Sequence, residues 1–112
     1  MKINTRKEGK ICILEFSGNL AIGAGTQAMR RTFRTCLEEG DRLFIFNMLE
    51  VPWLDSSGIG EVVACHKRAL EARATMTLVM IGRAHDIFTN LELQRVVKIH
   101  ENMESALASF AK

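Results

Sequence analysis

The sequence predicts an α/β domain, a mixed β-sheet of about four to five strands packed with about four helices. Three observations predict it. Leu43-Phe44-Ile45-Phe46 is an apolar run without alternation, as in a central strand covered on both faces. Met76 to Ile81 has the same character, and between the two runs apolar residues recur at three- and four-residue spacing. Strand, helix and strand in that order imply a parallel crossover, right-handed by the chirality of strand twist.

The remaining elements follow along the chain. Ile3 to Lys7 alternates apolar or β-branched with charged residues, Glu8-Gly9-Lys10 turns the chain, and Ile11 to Phe16 completes an opening hairpin. Gly18 to Gly25, rich in glycine and small residues, reads as a loop. Thr26 is then expected to cap a helix carrying Met29, Phe33, Cys36 and Leu37 on one stripe, with Gly40 as the glycine that ends it. Leu43 to Met48 is the next strand. Pro52 cannot donate to a ladder, so Val51-Pro52-Trp53-Leu54 is a short or edge extension. The following helix runs from Ser56 or Ser57 to about Glu71, with Ile59, Val62, Val63, His66 and Leu70 on its apolar stripe and Glu61 and Arg68 opposite. After the strand from Met76 come a short helix over His85 to Leu91, an edge strand over Val96 to His100, and a terminal helix with Met103, Ala106, Leu107 and Phe110 on one face.

Composition narrows the classes of function. The 112 residues, 47% hydrophobic and 25% charged, are expected to form one domain over residues 1–112, neither disordered nor membrane-spanning. A net charge of +2 is too mild to imply nucleic acid. Cys12, Cys36 and Cys65 lie in predicted strand and helix interiors without C-x-x-C spacing and read as small buried hydrophobes. No apolar leader opens the chain and no apolar run approaches the ~20 residues of a span, so the expected setting is the reducing cytoplasm, without membrane insertion.

A search for catalytic machinery is negative. A hydrolase elbow needs Gly-x-Ser-x-Gly, whereas Leu54 and Asp55 stand two residues before Ser56 and Ser57. His66 falls on an apolar stripe, His85 and His100 have no carboxylate or Cys at metal-ligand spacing, and residues 18–25 lack a phosphate-loop ending. No catalytic residue, metal site or cofactor is expected. Arg30, Arg31 and Arg34 cluster on the outward side of the first helix, either as a solvated face or as a patch for an acidic partner.

What remains is Leu54-Asp55-Ser56-Ser57-Gly58-Ile59-Gly60, where a helix begins. Asp55 and Ser56 fall at its N-cap, where side-chain oxygens can accept from free backbone N–H groups. A phosphate on a hydroxyl there would gain from those N–H groups and from the helix dipole. Gly58 and Gly60 each cost a helix roughly 1 kcal/mol relative to Ala. They serve either close approach by a partner or packing against the domain's own sheet.

Asp55-Ser56-Ser57-Gly58, followed by Ile59-Gly60 and preceded by the strand Leu43 to Met48, resembles the signature of the STAS domain family, in particular the bacterial anti-sigma-factor antagonists. Ser17-Gly18-Asn19-Leu20 resembles the family's Gly-x-Leu turn, and Ile87-Phe88 with Leu93 and Ala106-Leu107 resembles its C-terminal spacing. The similarity covers essentially the whole chain. It implies a single STAS-like domain in which Ser56 is the phosphoacceptor and Asp55, Ser56, Ser57, Gly58, Ile59 and Gly60 form the partner-binding helix end. It also implies the partners, an anti-sigma factor of GHKL kinase type and a PP2C-type phosphatase. The alternative is a STAS interaction subunit of a stressosome-like assembly or of an ABC-type lipid transport ATPase, using the same helix end without phosphorylation. Two positions depart from the family's pattern. Ala21 stands where many members carry an acid, and Glu92 where a glycine is common.

Overall fold

The computed structural model describes residues 1–21 and 23–111; Ile22, within the loop expected over residues 18–25, and Lys112 lie outside the described residues. Strands β1 (Lys2–Glu8) and β2 (Ile11–Ser17) form the expected antiparallel hairpin, turning through Gly9 at φ 58°. Strands β3 (Leu43–Glu50), β4 (Thr75–Val79) and β5 (Lys98–His100) then add in parallel, giving one five-stranded sheet in the order β1-β2-β3-β4-β5. Helices α1 (Ala24–Glu38), α2 (Ser56–Glu71) and α3 (Gly82–Asn90) make the crossovers, and α4 (Met103–Ala108) follows the last strand.

The apolar runs lack alternation because both faces of the sheet are covered. Phe44, Phe46 and Met48 of β3 and Cys12, Leu14 and Phe16 of β2 point to a core closed by Met29, Phe33, Val62, Cys65 and Phe88 of α1 to α3. The intervening Ile13, Ile45 and Val79 meet Ala106, Met103, Leu107 and Phe110 at the α4 end. Phe33 sets the depth of the larger core, its ring 4.8 Å from that of Phe44 and 5.4 Å from that of Phe46 in edge-on contacts.

Several boundaries differ from the sequence expectation. Helix α1 begins at Ala24, so Thr26 is an interior residue, buried, whose hydroxyl donates to the Gly23 carbonyl at 3.0 Å instead of capping. Its other end is as expected: Gly40 at φ 100° donates to Leu37 O and Asp41 to Cys36 O, the paired bonds of a Schellman turn. Strand β4 stops at Val79 and Ile81 becomes the residue before α3, which therefore starts at Gly82 instead of His85. Strand β5 is only Lys98–His100. Glu92 adopts φ 58°, a left-handed conformation that explains why glycine suits this position.

The larger correction concerns α2. Its buried residues are Gly58, Glu61, Val62, Cys65 and Ala69, a stripe rotated by about one residue from the expected one. Leu70 is 63% exposed, Val63 and His66 are half-buried, and Glu61, expected outside, is 5% exposed. Small residues at positions 58, 65 and 69 let this face lie close to the sheet and to α1.

Candidate functional site

The helix end is built by two loops running side by side at the C-terminal edge of the parallel strands. After β2, Gly18 donates to Glu50 O at 3.0 Å and Leu20 to Trp53 O at 3.1 Å; after β3, Asp55 returns a bond to Leu20 O at 3.1 Å. Leu20 and Leu54 form an isolated parallel bridge, and both side chains are buried. The segment after Pro52 is therefore an extension of the strand pairing, as its composition suggested.

Asp55 is the N-cap of α2. Its Oδ1 accepts from Gly58 N–H at 2.9 Å and its carbonyl from Ile59 N–H at 2.9 Å. Ser56 is thus the first helical residue, one position beyond the cap, and is exposed. With the Gly58 N–H taken by Asp55, the N–H groups of Ser56 and Ser57 belong to the helix's first turn and have no intrahelical acceptor. Ser57 and Ile59 are half-buried, Ile59 against the main core. Gly60 is exposed, with open space where a side chain would extend.

Gly58 is buried, and a Cβ placed on it would lie 2.4 Å from the Leu20 carbonyl oxygen. That close approach is to the chain's own loop after β2, not to the sheet that the sequence reading offered. The exposed Pro52 and Trp53, to which sequence reasoning assigned no binding role, put apolar surface on the loop leading to Asp55. A lone tryptophan beside a helix cap is the signal that could have marked them.

Glu61, one turn beyond Gly58, is held by Arg30 of α1 at 2.8 Å and by Arg68 of α2 at 3.1 Å. Arg30 is therefore a tie between helices, and with the exposed Arg31 and Arg34 and with Gln27, Thr35 and Glu38 it lines a groove of about 410 Å³. His66 lies ten residues along α2 from Ser56, about 15 Å at the helical rise of 1.5 Å per residue, too far to act as its base. All three thiols are buried, and burial pushes each above its ordinary pKa, that of Cys12 up to about 12. Far from Ser56, the fold brings Cys12, Cys36 and Asp41 together, a grouping that spacings of 24 and five residues along the chain did not announce. Among the described residues no helix is long and apolar enough to cross a membrane.

Compared with family models, the chain matches that of the STAS domain over residues 2–106. No curated protein matches its sequence. Among solved structures it is similar to the protein TM1081 of Thermotoga maritima, with 19% identity over 98% of this chain and 95% of that one and a TM-score of 0.88. It is similar also to an anti-sigma factor antagonist from Mycobacterium paratuberculosis, with 14% identity over 99% and 94% and a TM-score of 0.86. The Bacillus cell fate determinant SpoIIAA in its phosphorylated form matches at 16% identity over 96% and 98%, with a TM-score of 0.71. At such identities the likeness is one of fold.

Proposed function

The chain belongs to the STAS domain family, and on that premise we propose that it is an anti-sigma-factor-antagonist-like switch, active in the cytoplasm and controlled by phosphorylation of Ser56. Unmodified, it binds an anti-sigma factor of GHKL kinase type through the end of α2. Phosphorylated by that kinase it lets go, and a PP2C-type phosphatase restores it. The chain itself performs no catalysis.

The observation that carries this reading is the setting of Ser56, exposed at the first position of α2 beside an aspartate already committed to capping. A kinase can reach such a hydroxyl without unfolding the helix. The phosphate then adds roughly −1.5 to −2 charge next to Asp55. The helix terminus tolerates that charge in the free protein. In a partner interface the same dianion is desolvated, which costs several kcal/mol. The switch is thus an electrostatic change at the interface, with no refolding. Exposed Gly60 and Trp53 and half-buried Ile59 supply the remainder of the docking surface. Half-buried Ala21, neutral where many members carry an acid, points to a kinase surface less basic than usual opposite this loop.

The test is incubation with the cognate anti-sigma kinase and ATP, followed by peptide mass analysis and binding measurements on Ser56→Ala and Ser56→Asp. One phosphate is expected on the Ser56 peptide. Ser56→Asp is expected to bind the kinase at least about tenfold more weakly than Ser56→Ala, a difference of about 1.4 kcal/mol. Both variants should unfold within about 1 kcal/mol of the parent, because an acid at the first turn suits the dipole. Equal binding by both, with no phosphate on the peptide, overturns the switch and leaves a STAS interaction subunit of a larger assembly.

A further inference from the structure

At the end of the sheet opposite Ser56, three elements converge on one buried cluster. Cys12 lies near the start of β2, Cys36 in the last turn of α1, and Asp41 in the turn between α1 and β3. Two Sγ atoms and one carboxylate oxygen lie within 4.8 Å of one another. Cys12 is fully buried, and Cys36 and Asp41 are only 5% and 7% exposed. Their positions are imposed by the fold. Parallel pairing sets Cys12 beside Phe44, the inward stripe of α1 carries Cys36 after Met29 and Phe33, and the Asp41 N–H bond to Cys36 O at 3.1 Å folds the carboxylate back over the helix end.

A carboxylate so far from water needs a compensating cation. Among the described residues that cation is the Lys7 ammonium, which contacts Asp41 Oδ1 from the strand position paired with Cys12, while the lysine side chain stays 56% exposed. The cation facing the cluster is thus carried on a solvent-exposed stem and can swing out without disturbing the core. An open cleft of about 280 Å³, lined by Lys7, Gly9, Lys10, Gly40, Asp41, Arg42 and Leu43, gives access at Asp41.

Two soft sulfurs and a hard oxygen at this spacing form a donor set for zinc-class ions, not for magnesium or calcium, which take oxygen ligands. We propose that Cys12, Cys36 and Asp41 are a binding site for a thiophilic divalent cation of the zinc class, which displaces the Lys7 ammonium and clamps β2, α1 and the following turn together. On binding, two thiol protons leave to solvent, two metal–sulfur bonds and one metal–oxygen bond form, and a water completes four-coordination. The ion and its three anionic ligands carry a net charge of −1. With the Lys7 ammonium swung out to solvent, that charge faces the open cleft at Asp41.

The metal-stripped full chain, kept reduced, is titrated with Co²⁺ and then with Zn²⁺. One equivalent of Co²⁺ is expected to produce thiolate-to-cobalt charge-transfer and tetrahedral d–d absorption, Zn²⁺ to abolish both, and the thermal midpoint to rise with Zn²⁺. Asp41→Asn should weaken binding by about 10–100-fold, the scale of losing a coordinating or supporting group. Cys65→Ser should leave the spectrum unchanged, and Lys7→Ala, at an exposed position that folding tolerates, should tighten binding. Cys12→Ser and Cys36→Ser should each lower the thiolate absorption, and the double variant should lose it. Absence of charge-transfer absorption in chain with three free thiols overturns the proposal. So does absorption that persists without Cys12 and Cys36, or weaker binding in Lys7→Ala.

Discussion

Gly58 and Gly60 stand two residues apart on α2, and their costs to the helix are offset differently. At Gly58 an added Cβ would sit 2.4 Å from Leu20 O and 3.0 Å from Leu20 Cγ. The oxygen is backbone, held in place by the Asp55 N–H. Gly58→Ala therefore has to push apart the two loops that build the site, and it is expected to cost about 1–3 kcal/mol, as overpacking does. Gly60 faces open space, so Gly60→Ala should stabilise the free chain by about 1 kcal/mol. Urea unfolding of the two variants checks both signs. Affinity for the partner adds a second readout, because a stabilised Gly60→Ala that binds more weakly assigns that bare surface to the interface. The pattern of the sequence left Gly58 open, since its neighbour is 38 positions earlier and no local spacing connects them. Asp55 and Ser56 were legible because a cap is a local device: one short polar side chain and the N–H three residues on.

At the scale of the element, α2 shows how periodicity can name a helix and still misplace its face. Residues 59, 62, 63, 66 and 70 include its larger apolar side chains, yet the buried set is Gly58, Glu61, Val62, Cys65 and Ala69. Small residues count as core here, because their burial brings the helix backbone nearer the sheet and lets the sheet's own Phe44, Phe46 and Met48 supply the bulk. From the sequence Glu61 reads as a surface charge because Arg30, 31 residues behind on α1, reaches it only when α1 and α2 lie together; Arg68, two turns on along α2, adds the second bond. Two substitutions decide which face is inside. Ala69→Leu should destabilise by about 1–3 kcal/mol through overpacking. Leu70→Gln, at a residue 63% exposed, should stay within about 0.5 kcal/mol of the parent. The stripe read from hydrophobicity alone requires the reverse order, so one pair of denaturation curves separates them.

For the whole molecule, the opening hairpin and the parallel crossover were legible, because β-α-β alternation leaves few topologies and each buried strand is an apolar run. The couplings between distant residues were not, and they set how the fold responds to pH. At the α4 end, His100 Nδ1 shares a 2.7 Å hydrogen bond with Ser105 Oγ while its Nε2 is buried without a partner among the described residues. Burial first, and Lys98 second, hold its pKa below the ordinary 6.5. The unfolded chain then takes up this proton before the folded one, so stability present above pH 6.5 is lost as pH falls through the folded value. At the hairpin, Glu15 accepts from Asn4 at 3.1 Å and from Arg6 at 3.2 Å, and these bonds outweigh desolvation to hold its pKa below the ordinary 4.5. Its contribution is present above pH 4.5 and is lost only at greater acidity. The two ends of the sheet should therefore weaken in sequence on acidification, the α4 end first. His100→Gln is expected to flatten the decline that begins near pH 6.5 while leaving the more acidic limb intact, and Glu15→Gln the converse. Urea midpoints measured across the acid range read both limbs, and a parent decline near pH 6.5 that survives His100→Gln would remove His100 as its source.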